Sequence, residues 1–124
     1  MFVRAVLAGL VVLALVACGS GAPAGPSVTP VPGAPYIAAD KLAFQPTQLT
    51  VPAATAFDLT FENKESLPHN VAITTQDHAG QELFKGDLIT GPKTVIYKVP
   101  ALSPGTYFFH CDVHHEMKGT ITSQ

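Results

Sequence analysis

Residues 107–119 read Tyr-Phe-Phe-His-Cys-Asp-Val-His-His-Glu-Met-Lys-Gly, a strand that runs into a short loop rich in metal-binding side chains. Tyr107, Phe109 and Cys111 alternate with Thr106, Phe108 and His110, the period of two that marks a half-buried β-strand. Outward from it the same signal recurs. Phe57, Leu59 and Phe61 alternate with Asp58, Thr60 and Glu62, and Val71 and Ile73 extend a second run after His69. Residues 94–99, TVIYKV, are β-branched and aromatic. Gly91-Pro92, Pro100, Ser103-Pro104-Gly105 and Lys118-Gly119 read as turns between these runs. Residues 64–68 and 77–88 read as irregular, the second with room for one helical turn. No window holds a helical period, so the fold class is all-β, a sandwich or small barrel.

The chain has 124 residues, 13% of them charged, and a net charge of −2. That length suits one folded domain. The charge balance supplies no basic face for nucleic acid, and no phosphate-binding or hydrolase signature is present. The first 17 residues lie outside the domain. Arg4 precedes an uncharged aliphatic run, Ala5 to Ala17, which as a helix would span roughly 20 Å against a hydrocarbon core of about 30 Å. It is short for a transmembrane helix and suited to a signal peptide. Leu15-Val16-Ala17-Cys18 resembles a bacterial lipobox, which implies a lipoprotein signal peptide at 1–17 and a lipid attached to Cys18. Nine of the 17 residues from Gly19 to Pro35 are Gly or Pro and none is charged, so 18–35 reads as a lipidated cysteine and a flexible or polyproline-like tether. The folded domain is then 36–124. It retains a single cysteine, Cys111, and in an oxidising compartment a lone thiol calls for a task such as metal ligation.

Cys111, His114 and Met117 fall at C-x2-H-x2-M. A thiolate, an imidazole and a thioether converging form a soft donor set suited to copper. A mononuclear site of two His, one Cys and a weak axial Met needs one more imidazole. His69 is the candidate, at a strand start in Leu67-Pro68-His69-Asn70-Val71, where Pro68 stiffens the approach. His115, next to His114, offers an alternative register; if His114 is the ligand, His115 points to solvent. His110 alternates with Cys111 and faces away from the metal. His78, beside Asp77, reads as a solvated loop residue rather than part of a second metal site, and Glu62, Lys64 and Glu65 as a solvated turn. Tyr107 and Phe109 read as core that dries the site.

With these residues in place, the chain resembles the cupredoxins, the type 1 blue copper proteins of the plastocyanin and azurin superfamily. Within them it is similar to the amicyanin-like branch, with its short C-x2-H-x2-M loop, its P-H-N-V around His69 and its G-T-Y-F-F-H-C approach to Cys111. The likeness runs from about Phe44 to Ile121, and it departs at His115, where that branch usually has Pro. The resemblance implies a Greek-key β-sandwich holding one type 1 copper ion, bound by His69 and His114 through Nδ1, by the Cys111 thiolate and weakly by Met117. Asn70 would tie the His69 segment to the Cys111 loop. It further implies an electron carrier rather than an enzyme, monomeric, meeting redox proteins transiently through an apolar patch around His114, with Ala43, Leu67, Pro68 and Val113 as candidates. With the lipid at Cys18, it would sit on the extracytoplasmic face of a bacterial membrane. The alternative is a copper-delivery module that supplies an oxidase or another cuproenzyme.

Overall fold

The computed structural model describes residues 28–124. The expected signal peptide, Cys18 and the first part of the tether lie outside the described residues. Among the described residues there are eleven strands and no helix: β1 (Tyr36–Asp40), β2 (Ala43–Gln45), β3 (Gln48–Val51), β4 (Phe57–Asn63), β5 (Pro68–His69), β6 (Ala72–Thr74), β7 (Glu82–Lys85), β8 (Ile89–Thr90), β9 (Lys93–Val99), β10 (Gly105–His110) and β11 (Lys118–Ser123).

Two sheets face each other as a sandwich. One has the order β2-β1-β4-β9, the other β3-β11-β10-β6-β7, and β5 and β8 form a small ribbon at one end. The chain passes between sheets repeatedly, so β1 and β4 pair in parallel, as do β3 and β11, while the remaining pairs are antiparallel. The alternation read in the sequence is the core. Leu59 and Phe61 from β4, Ile73 from β6 and Phe109 from β10 are fully buried between the sheets, with Ile37 from β1 and Ile121 from β11. Each such side chain contributes roughly 1.5–3 kcal/mol by leaving water. Phe109 packs on Phe44 at 5.4 Å, and Phe61 stacks on Tyr97 at 5.6 Å.

Three local expectations are corrected. Lys118-Gly119 is no turn but the start of β11. Gly119 pairs with Phe109, and a Cβ there would lie 2.3 Å from the Phe109 ring and 2.4 Å from the Thr47 carbonyl oxygen, so the glycine serves close packing. The stretch 77–88 holds no helical turn; its middle is β7, an edge strand whose exposed Glu82 and Lys85 hid the pattern. Glu62 is also no free turn residue, because it accepts a hydrogen bond from the Tyr36 hydroxyl. Burial and that carboxylate push the Tyr36 phenol up to about 12.

Strands β1–β3 were not resolved in the sequence pattern. β1 and β2 form a tight hairpin whose two turn residues, Lys41 and Leu42, have φ of 53° and 57°. Glycine or asparagine usually fills such a turn, and the strain is offset where Glu65 accepts the Leu42 N–H at 3.2 Å. The last residues of the expected tether lie along the first sheet: Val28 N–H donates to the Thr94 carbonyl at 3.2 Å, and Thr60 N–H donates to the Pro35 carbonyl at 2.9 Å.

Candidate metal centre

Three loops at the β5–β8 end bring the chemistry together. The loop after β10 carries Cys111, His114 and Met117. It is closed by its own backbone, with Cys111 N–H donating to the Met117 carbonyl at 3.0 Å and Met117 N–H to the His114 carbonyl at 2.9 Å. The segment from β4 ends in β5, which itself carries His69, and the β1–β2 hairpin carries Leu42.

The donor atoms of His69, Cys111 and His114 all lie within 4.8 Å of one another, and no other group of three His, Cys, Asp or Glu does so among the described residues. Nδ1 of His69 and Nδ1 of His114 each stand 3.8 Å from Cys111 Sγ. A first-row ion bound at about 2.1 Å to nitrogen and about 2.3 Å to sulfur, with trigonal angles, spans an N···S separation of about 3.8 Å. The spacing and the donor types therefore fit one type 1 copper ion. Cys111 and Met117 are fully buried, and Met117 shares with His114 the wall of a cavity of about 150 Å³ lined also by Leu42, His115 and Glu116.

The surroundings hold these side chains in place. Glu65, two residues after β4, accepts from His69 Nε2 at 2.8 Å, which fixes the tautomer and leaves the Nδ1 lone pair turned toward Cys111. Burial and the neighbouring His114 push the His69 pKa down while Glu65 pushes it up, and the net is downward. Asn63 Nδ2 donates to the Leu67 carbonyl at 2.7 Å and the Ile89 carbonyl at 2.8 Å, while its Oδ1 accepts the Glu65 N–H at 2.9 Å, so one buried amide shapes the whole His69 loop. Gly91 is required beside it, since a Cβ would lie 2.3 Å from the Asn63 carbonyl oxygen. Asn70 joins the two donor loops. Its Nδ2 donates to the Gly86 carbonyl at 3.0 Å and to Asp112 Oδ2 at 2.7 Å, and its Oδ1 accepts the Asp112 N–H at 3.0 Å. Burial raises the Asp112 pKa, but the bonds from Asn70 and Lys85 outweigh it and hold the carboxyl below its usual range.

The sequence candidates thus divide. His69, Cys111 and His114 meet, with Met117 buried beside them. His115 is exposed and is not among the converging donors; its carbonyl accepts from His78 Nε2 at 3.1 Å. His110 is likewise outside the cluster. Glu65, Asn63, Asp112 and Leu42 were missed. Glu65 stood four residues before His69, and that spacing was the available signal. His78, expected in solvent, packs its ring on His110 at 4.5 Å.

Comparison with known proteins gives a family and a fold. A family model described as a cupredoxin-like domain matches residues 9–123. Amicyanin-alpha of Methylorubrum extorquens is 32% identical over 81 residues, covering 65% of this chain and 64% of that protein, so the match spans less than two thirds of the relative. Among solved structures, dithionite-reduced auracyanin from Roseiflexus castenholzii superposes with a TM-score of 0.62 at 24% identity, covering 72% of this chain and 94% of the other. Auracyanin A from Chloroflexus aurantiacus, described as a "blue" copper protein, gives 0.63 at 22% identity, covering 72% and 96%.

Proposed function

The chain belongs to the cupredoxin-like family, and from that premise we propose that it carries single electrons between extracytoplasmic redox proteins while tethered to a membrane through Cys18. The observation that carries the proposal is the pair of imidazole Nδ1 atoms at 3.8 Å from the buried thiol of Cys111. His69 Nδ1, His114 Nδ1, the Cys111 thiolate and, more weakly, the Met117 thioether are the proposed ligands. Copper bound there supplies a one-electron Cu(I)/Cu(II) couple.

The chain's own residues do the rest. Glu65 and Asn63 hold the His69 ring, and Asn70 holds the Cys111 loop against it, a support that would keep the donors in place when bound copper changes its oxidation state. Small movement on redox change is what rapid electron exchange requires. Cys111, Met117 and Phe109 exclude water from the centre. The partly exposed His114 ring, beside exposed Leu42 and Val113, is the proposed exit for the electron. Small apolar surfaces of this kind suit brief encounters with redox partners. Burial of both sulfur donors favours retention of copper over its delivery to another protein.

The test is a potentiometric titration of the copper-loaded chain. A reversible one-electron step with copper retained, together with electron self-exchange visible as NMR line broadening, supports the proposal. Release of copper on reduction to a copper-free acceptor supports delivery instead and overturns it.

A further inference from the structure

Met117 is held from two sides. Within its own loop, its carbonyl accepts the Cys111 N–H at 3.0 Å and its N–H donates to the His114 carbonyl at 2.9 Å. From outside, the turn 75–81 between β6 and β7 reaches the chain on either side of it. His78 Nε2 donates to the His115 carbonyl at 3.1 Å, and Asp77 pairs with Lys118 at 2.8 Å. Residues 115 and 118 bracket Met117 in the sequence, so both outer contacts fix backbone next to the thioether side chain.

The turn is itself firmly closed. Thr75 N–H donates to the Gln81 carbonyl at 3.0 Å, Gln81 N–H donates to Thr75 Oγ1 at 2.9 Å, and the Thr74 hydroxyl donates to the Gln76 carbonyl at 2.6 Å. His78 projects from it with φ of 52°, a left-handed backbone that side-chain-bearing residues rarely adopt. Its ring packs on that of His110, with centroids 4.5 Å apart and planes tilted by 46°. His110 is buried and belongs to β10, the strand that delivers Cys111, so the packing sets where His78 Nε2 points. A strained residue seated on that strand and bonded to the loop beyond it points to a positional task. The Asp77–Lys118 pair is about half exposed at both ends and contributes little alone, which leaves the His78 bond as the main outer hold.

We propose that His78 is a positioning residue for Met117: by fixing the His115 carbonyl it sets how closely the thioether approaches an ion held by His69, Cys111 and His114, and through that the reduction potential. The inference rests on the copper reading above. An axial sulfur bond is long and weak and tunes the potential of such a site, so a small displacement of Met117 shifts the balance between Cu(I) and Cu(II) while the three shorter bonds stay as they are. With the outer hold gone, the thioether stands farther off on average, Cu(II) loses more than Cu(I), and the potential rises.

The experiment compares His78→Asn and His78→Gln in the full copper-loaded chain. Asn accepts the left-handed backbone but is too short to bring its amide to the place of Nε2, whereas Gln reaches that place and strains the backbone. His78→Asn should lower the ratio of Cu(II) to Cu(I) affinity about three- to tenfold, read as a rise in reduction potential with the thiolate-to-copper band retained, while His78→Gln stays within about twofold of the parent. A merely structural role predicts the reverse order, since Gln is the costlier residue at φ of 52°. Beside Met117→Leu, which leaves no axial donor to position, His78→Asn should not move the ratio. In the metal-free chain, His78→Asn should speed hydrogen exchange of the Met117 amide about threefold or more. A parent-like ratio in His78→Asn, an equal shift in both variants, or a shift that persists beside Met117→Leu overturns the proposal. A parent that lacks the thiolate-to-copper band fails the copper reading instead, and the amide exchange then decides the role of His78, unchanged exchange overturning it.

Discussion

His69 and His114 present the same nitrogen to the same sulfur at the same 3.8 Å, yet their settings are opposite. His69 is fully buried, its Nε2 taken by Glu65 and its loop shaped by Asn63 and Gly91. His114 sits partly exposed in a loop closed by backbone hydrogen bonds, with its ring in an apolar cavity beside Leu42. One arm anchors and the other opens. The proposed electron carrier would need both, a rigid centre and an open edge, and the division puts the polar support on the buried arm.

Asn70 links the two arms, so its loss should have the largest effect. Asn70→Ala removes three hydrogen bonds at a fully buried site and leaves the Asp112 N–H and the Gly86 carbonyl unpaired; we expect a loss of about 2–4 kcal/mol in urea unfolding at fixed metal loading. A loss below 1 kcal/mol would mean that the arms are held independently. Glu65→Gln probes the anchor alone. It removes the charge that strengthens His69 as a donor, so Cu(II) affinity should fall about 10–100-fold and the reduction potential should rise. An unchanged potential would remove Glu65 from the account. Leu42→Glu probes the opening. Leu42 is 49% exposed, and a carboxylate there should slow electron self-exchange about tenfold while the visible spectrum stays as it was. A changed spectrum would place Leu42 in the anchor instead.

The smallest effect is acid dependence. Asp112 has its pKa held below the usual carboxylate value, so its contribution is present above about pH 4 and is lost as pH falls through the lowered pKa. Thermal stability measured from pH 7 to pH 3 should decline less steeply in Asp112→Asn than in the parent. Equal slopes would assign acid sensitivity to other carboxylates.

β4 was legible because Phe57, Leu59 and Phe61 alternate with polar Asp58 and Thr60, although Thr60 is buried as well, and β10 because Tyr107, Phe109 and Cys111 line up on one side of the strand. β1 was not, because Ile37, Ala38 and Ala39 are buried in succession and leave no period to read. β7 was hidden by its charged edge residues. The proposed ligands stood out because Cys, His and Met at that spacing have few other uses. Their support was not: Glu65 and Asn63 look like any polar turn, and only the closing of the loop around Ile89 and His69 gives them partners. The packing of His78 against His110 joins residues 32 positions apart that share no local signal.

The central claim is a mononuclear centre in which two imidazoles flank the Cys111 thiolate. It is tested most directly by the visible and EPR spectra of the oxidised chain loaded with one equivalent of copper, read beside Cys111→Ser. We predict an intense sulfur-to-copper band with the narrow copper hyperfine splitting of a thiolate-bound ion, both lost in the variant. A colourless, ordinary cupric spectrum in the parent, or a band that persists without the thiol, contradicts it.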